Sequence, residues 1–194
     1  MRDRLVWGAF LALMSAVALV LGGFVVATSG VIPVAASAGH WGITAWLLDY
    51  VKRQSVATHT IGSELPSLDE PSLVLRGAGH YEGGCRPCHG SPDLARPRVA
   101  AAMTPRPPDL RSRAPEYEPE ELFYIVKHGI KFTGMPAWPT QERDDEVRAV
   151  VAFLLKLPEL DADDYRRLVD GESRAEGSVV PLGDLPEPPR VPSA

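Results

Sequence analysis

The chain of 194 residues has two cysteines, both in the stretch GGCRPCHGS at residues 83–91. With no others, a framework of several disulfides is excluded, and a zinc site lacks two ligands of similar quality, since the remaining histidines have no paired spacing. Alternating strand-like runs are nearly absent too, which removes the α/β setting in which a thioredoxin-like Cys-x-x-Cys pair opens a helix. No long block of one charge sign occurs, and the formal net charge is -5. A nucleic-acid partner, which calls for a basic patch or stripe, is therefore not expected. Glycine and proline are plentiful at 17 and 19 residues, which makes a loop-rich chain. Much of the proline falls in residues 105–119 and in the C-terminal tail.

Residues 5–27, LVWGAFLALMSAVALVLGGFVVA, contain no charge. At about 1.5 Å per residue this run spans the roughly 30 Å core of a bilayer. Arg2 and Arg4 precede it and favour a cytoplasmic N-terminus, with all that follows on the outer side. The alternative is a cleaved signal peptide, although such apolar regions are usually only about 7–15 residues long. Ala36-Ser37-Ala38 imitates a cleavage site but lies well beyond the apolar run. Either reading exports the rest of the chain.

Five parts are expected: a cytoplasmic n-region at 1–4, a transmembrane anchor at 5–27, a spacer at 28–70, a helical domain at 71–169 and a disordered proline-rich tail at 170–194. In the spacer, HWGITAWLLDYVKRQSV has Trp41, Ala45, Leu48 and Val51 at helical spacing. It reads as a helix lying on the membrane surface or one packed on the domain, and His40 and His59 flank it as polar boundary residues. Pro71 opens a helix that runs into the cysteines. The prolines of SPDLARPRVAAAMTPRPPDL forbid a continuous helix. Pro119 opens a second helix, PEELFYIVKHG, with Glu120 and Glu121 at its positive end, Lys127 and His128 in its last turn and Gly129 as its C-cap. The loop IKFTGMPAWPT leads to a third helix over residues 141–157, whose apolar stripe is Val147, Val150, Val151, Leu154 and Leu155, with Phe153 beside them. Asp161 caps a brief last helix to Leu168. The fold class is all-α.

An exported Cys-x-x-Cys needs a reason other than stability, because a bridge across two residues closes too small a loop to stabilise much. Cys85, Cys88 and the adjacent His89 fit covalent haem c instead: two thiols add to the porphyrin vinyl groups, and the histidine lies under the iron. One such motif implies one haem. A thioether as the sixth ligand raises the reduction potential and suits electron transfer. Met135, in a loop between Gly134 and Pro136, is the candidate. Met103 in the proline-rich loop is its rival, and His128 would give bis-histidine ligation. The expected metal ligands are His89 and Met135. Ile130, Phe132 and Trp138 are candidates to shield the ring, and Lys127 and Lys131 to steer a partner.

Residues 72–157 resemble a class I c-type cytochrome. In that family a glycine and an aromatic stand eight and four residues before the first cysteine; here these are Gly77 and Tyr81. The glycine lets the first and last helices cross closely, where an aromatic of the last helix packs, and Phe153 matches it. KHGIKFTGMPAW at 127–138, MTPRPPDL at 103–110, the N-terminal anchor and the HWGITAWLLDYVKRQSV segment resemble membrane-anchored, mono-haem bacterial cytochromes. The resemblance implies a three-helix domain around one covalent haem c, behind a transmembrane helix. It implies one-electron transfer between respiratory or dehydrogenase partners, with no substrate-transforming activity expected of the chain alone. It places the chain as a single-pass protein of the bacterial inner membrane, with its haem domain on the periplasmic side. A haem-based small-ligand sensor, and a fixed cytochrome subunit of a larger oxidoreductase complex, remain as alternatives. The segment after Leu157 is expected to be peripheral to this fold.

Overall fold

A computed structural model describes residues 2–175 of the protein. Residues 176–194, which hold most of the expected tail, lie outside the described residues. The chain divides into two units, Met1–Gly39 and His40–Ala194.

In the first unit, helix α1 runs over Arg2–Thr28. Its stretch Arg4–Thr28 has a mean hydropathy of 2.5 and is long and apolar enough to cross a membrane. The end is closed locally. The Thr28 hydroxyl donates to the Phe24 carbonyl at 2.9 Å, and the Ser29 hydroxyl to the Val26 carbonyl at 2.8 Å.

The second unit is helical throughout, with no strand among the described residues beyond one isolated bridge between Ser91 and Leu94. Its helices are α2 (Gly42–His59), α3 (Pro71–His80), α4 (Arg86–His89), α5 (Arg98–Ala101), α6 (Leu110–Arg113), α7 (Pro119–His128), α8 (Asp144–Lys156) and α9 (Ala162–Ala175). The sequence signals for α7 act as expected. Pro119 takes the first turn, Glu118 and Glu121 form a capping box, and Gly129 closes the helix at φ 64°. Gly129 also has no room for a side chain, since a Cβ there would stand 2.5 Å from the Pro136 carbonyl.

Helix α8 is the centre of the core. Val147, Val150, Val151, Phe153 and Leu154 are all buried on it, against Ala78 and Tyr81 from the α3 side and Leu122 and Val126 of α7, while Leu73 of α3 packs with Ala149 and Ala152 of α8. Each such aliphatic or Phe side chain, fully buried, contributes about 1.5–3 kcal/mol. Gly77 sets the approach of α3 to α8: a Cβ on it would stand 2.0 Å from the Ala149 carbonyl oxygen and 2.7 Å from Phe153 Cβ. Tyr81 and Phe153 meet beside this crossing with ring centroids 5.0 Å apart.

The segment after Leu157 corrects two expectations. Asp161 does cap the last helix, accepting from the N–H groups of Asp163 and Asp164 at 2.9 and 2.7 Å. However, α9 continues to Ala175 rather than Leu168, so the boundary drawn at residue 170 falls inside a helix. Nor is it peripheral. Tyr165 is buried, with its ring centroid 6.2 Å from that of Tyr81 and 6.1 Å from that of Phe153. Leu168 and Val169 pack on the same core, and Gly171 faces Leu75.

Candidate functional site

Helix α3 does not run smoothly into the cysteines. Residues Tyr81–Cys85 form one wide π-helical turn. Gly83 and Gly84 lie in it, and glycine is the weakest helix former after proline. A π-turn inside a helix is uncommon and frequently marks a functional site. The single turn of α4 follows, with Cys85, Cys88 and His89 at relative positions zero, three and four, so all three share one helical face.

Both thiols are free, and no disulfide joins them. Burial pushes the Cys85 thiol up to about 11, and neighbouring Cys88 adds to the rise. A reactive or redox-active cysteine needs the opposite shift, since the thiolate is the nucleophile. Cys85 is therefore poorly set up as a nucleophile, while the two free sulfurs on one turn remain a suitable anchor for a group that takes both.

His89 Nδ1 lies 2.9 Å from the carbonyl oxygen of Pro108, to which it donates as a neutral imidazole. Burial holds the ring below its ordinary pKa; the Pro108 bond opposes this and nearby Arg96 reinforces it. Nε2 is then left with its lone pair free to bind a metal. Histidine ligands are commonly fixed in this way, their other ring nitrogen donating to a carbonyl or carboxylate. Behind the turn, the Tyr81 hydroxyl donates to the Gly90 carbonyl at 2.7 Å and ties the end of α4 to the core.

Met135 is half-buried in the loop between α7 and α8. That loop is held at several points. Met135 N–H donates to Thr133 Oγ1 at 3.0 Å, Ile130 N–H to the Met135 carbonyl at 3.2 Å, and Trp138 N–H to the Lys127 carbonyl at 2.9 Å. Trp138 Nε1 donates to Glu146 Oε2 at 3.0 Å, and its ring meets His80 edge-on at 5.5 Å. Phe132, expected to shield a ring, is 83% exposed and has a φ of 60°, rare for a bulky residue. Met103 is not remote from this loop: a Cβ on Gly134 would stand 2.0 Å from Met103 Cε. The proline-rich loop thus touches His89 through Pro108 and the Met135 loop through Met103. His128 is accounted for locally, its ring 4.6 Å from that of Tyr124.

Two residues here carry little signal in the sequence. Pro108 acts through its carbonyl, which any residue supplies, although proline fixes the backbone that aims it. Arg96 is half-buried, and its Nε is buried with no hydrogen-bond partner. That unpartnered Nε near His89 fits a ligand that brings an anion.

Together these residues fit a haem: two free sulfurs and an oriented imidazole on one turn, a thioether in a braced loop, and a half-buried guanidinium, its Nε without a partner, for a carboxylate. Residues 72–154 match the family model described as cytochrome C oxidase, cbb3-type, subunit III. No curated protein and no solved structure gives a match. The matched stretch runs from the start of α3 to near the end of α8 and is a c-type cytochrome domain.

Proposed function

We propose that this cytochrome c domain holds one covalent haem between His89 and Met135 and relays single electrons between protein partners at a membrane. The observation that carries the reading is the bond from His89 to the Pro108 carbonyl, on the turn that also presents Cys85 and Cys88. Bound haem supplies a one-electron Fe(III)/Fe(II) couple. Cys85 and Cys88 would hold it through thioether bonds, and Arg96 would meet a propionate. The Nδ1–H donated to Pro108 fixes the tautomer that leaves the Nε2 lone pair available, and His89 would hold the iron through Nε2, made a better donor by that bond. Met135 would supply a second ligand through its thioether, and its loop is braced by Thr133, Trp138 and Gly129, so the sulfur is held in a fixed place. If His89 and Met135 both held the iron, no site would be left open to substrate or gas, which favours electron transfer over sensing.

Helix α1 would anchor the chain in a bacterial inner membrane, with Arg2 and Arg4 on the cytoplasmic side and the haem domain in the periplasm. The family description favours one further reading of the assembly, in which the chain is a fixed subunit of an oxidoreductase complex rather than a free carrier. Native electrophoresis of membranes in mild detergent separates the two.

The test is a pyridine haemochrome spectrum on the full chain made with a cytochrome c maturation system, beside a haem-stained denaturing gel. One c-type haem per chain, retained on denaturation, is expected. A properly exported and matured chain without haem removes the proposal. Rapid carbon monoxide binding by the reduced protein at neutral pH would replace electron relay with ligand binding.

A further inference from the structure

Helix α2 has two unlike faces. One grips the domain. Val56 is buried, Arg53 reaches Glu116 at 3.5 Å and lies over the Tyr117 ring at 5.9 Å, and His59 stacks on Tyr124 with centroids 5.3 Å apart. Asp49, on the same side, pairs with Lys52 and Arg53 at 2.5 and 2.9 Å. The opposite face bears Ile43, Trp46, Leu47, Tyr50 and Val51, each at least 50% exposed. At 100° per residue these five fall in one arc of about 140°. Trp46 and Tyr50 stack on each other at 5.7 Å, so the face has local order. Towards the end of the helix the same arc turns polar with Gln54 and Thr58. Soluble monomers rarely leave such a stripe uncovered.

The rest of the chain indicates what covers it. No Asp, Glu, Lys or Arg occurs between Arg4 and Asp49, so the uncharged run of α1 continues through residues 29–41 into the first half of α2. That tether spans at most roughly 45 Å when fully extended. The apolar half of α2 is the half nearest the tether. Tryptophan and tyrosine beside aliphatic residues on one face, with charges on the other, make the pattern of a helix lying in the headgroup region.

We infer that the Ile43–Trp46–Leu47–Tyr50–Val51 face of α2 lies in the lipid interface of the membrane that α1 enters, so that α2 seats the cytochrome domain on the bilayer in one orientation. The domain grip and the lipid grip then sit on opposite sides of one rigid element. The haem domain does not swing freely on its tether but presents a constant face to partners that diffuse to the membrane.

This inference rests on α1 as a membrane anchor, and the experiment keeps the two apart. In the full-length holoprotein, a photoreactive benzoylphenylalanine replaces Leu13 of α1 in one variant and Leu47 of α2 in another. Both variants are irradiated in their own membranes, and the mass of the adduct is read. Phospholipid adducts at both positions are expected. A lipid adduct at Leu13 without one at Leu47 overturns the seating of α2 and leaves the anchor standing. Leu47 joined to a second copy of the chain or to another protein overturns it also. Absence of lipid at Leu13 overturns the anchor, and the seating with it. A second measurement reads the same contact without a label. In nanodiscs, Leu47→Glu is expected to raise amide hydrogen exchange across residues 43–51 roughly tenfold, with the haem spectrum unchanged. Unchanged protection overturns the inference.

Discussion

The hydroxyl of Tyr165 donates to Glu82 Oε2 at 2.5 Å and thereby links α9 to the π-turn that leads into Cys85. Glu82 is bonded on its other side by Arg86. The contact brings together residues 83 positions apart, next to the turn that bears Cys85 and Cys88. A hydrogen bond to a charged acceptor contributes about 1.5–3 kcal/mol net. Tyr165→Phe keeps the ring packed against Tyr81 and Phe153 and removes only this bond. It is expected to lower unfolding stability by about that amount in urea, with the haem spectrum unchanged. A loss below about 0.5 kcal/mol would show that Arg86 alone satisfies Glu82.

Helix α9 also has a titratable start. The N–H groups of Asp164 and then Asp163 hold the Asp161 carboxyl below the usual carboxylate range. A carboxyl depressed in the folded state stabilises it above the unfolded pKa, and this contribution is lost as the pH falls through the folded value. Asp161→Asn retains the accepting oxygen and removes the titration. The stability difference between the native chain and this variant is therefore expected to shrink as the pH drops below about 4. A difference that stays constant with pH would show that the carboxylate charge adds nothing to the cap.

The parts of the fold that were legible in the sequence are those set by local chemistry. Pro119, Glu120, Glu121 and Gly129 bracket α7 because caps and helix dipoles act within one turn. The length of α1 follows from an unbroken apolar run. Gly77 and Phe153 are legible too, through the family resemblance and not from periodicity. The π-turn was not legible, since Gly83 and Gly84 read equally well as the end of a helix. Tyr165 was hidden for a different reason. Its neighbours Asp163, Asp164, Arg166 and Arg167 give α9 a polar sequence, and what buries one tyrosine is a groove formed by Tyr81 and Phe153 far away in the chain. The role of Pro108 is borne by a backbone carbonyl, and side-chain patterns carry no trace of that.

The crossing at Gly77 makes a strong claim on packing. A methyl group there would meet the carbonyl of Ala149 at 2.0 Å and its carbon at 2.7 Å, so backbone, not a movable side-chain tip, must yield. Over-packing of this kind costs about 1–3 kcal/mol, occasionally more. Alanine recovers only about 1 kcal/mol of helix propensity over glycine. Gly77→Ala is expected to lower the urea midpoint by the equivalent of about 2 kcal/mol with an unchanged m-value. Adding Ala149→Gly should not rescue it, because the clash is with main chain. Rescue would mean that the close approach is made by the Ala149 side chain instead.

The two methionines divide the last question between them. Met135 sits in the braced loop, while Met103 rests its methyl group on Gly134 beside it. If Met135 supplies the sixth ligand, Met135→Ala keeps the covalent haem, loses the methionine-to-iron charge-transfer band and lowers the reduction potential. A fall on the order of 0.1 V is reasonable against the roughly 0.8 V range that axial ligands span. Met103→Ala should then retain the band and move the potential much less, since it removes only packing behind the loop. Loss of the band in Met103→Ala, with Met135→Ala unaffected, exchanges the two roles. Measuring both variants is necessary because a buttress and a ligand so close together both shift a potential, whereas only the ligand carries the charge-transfer band.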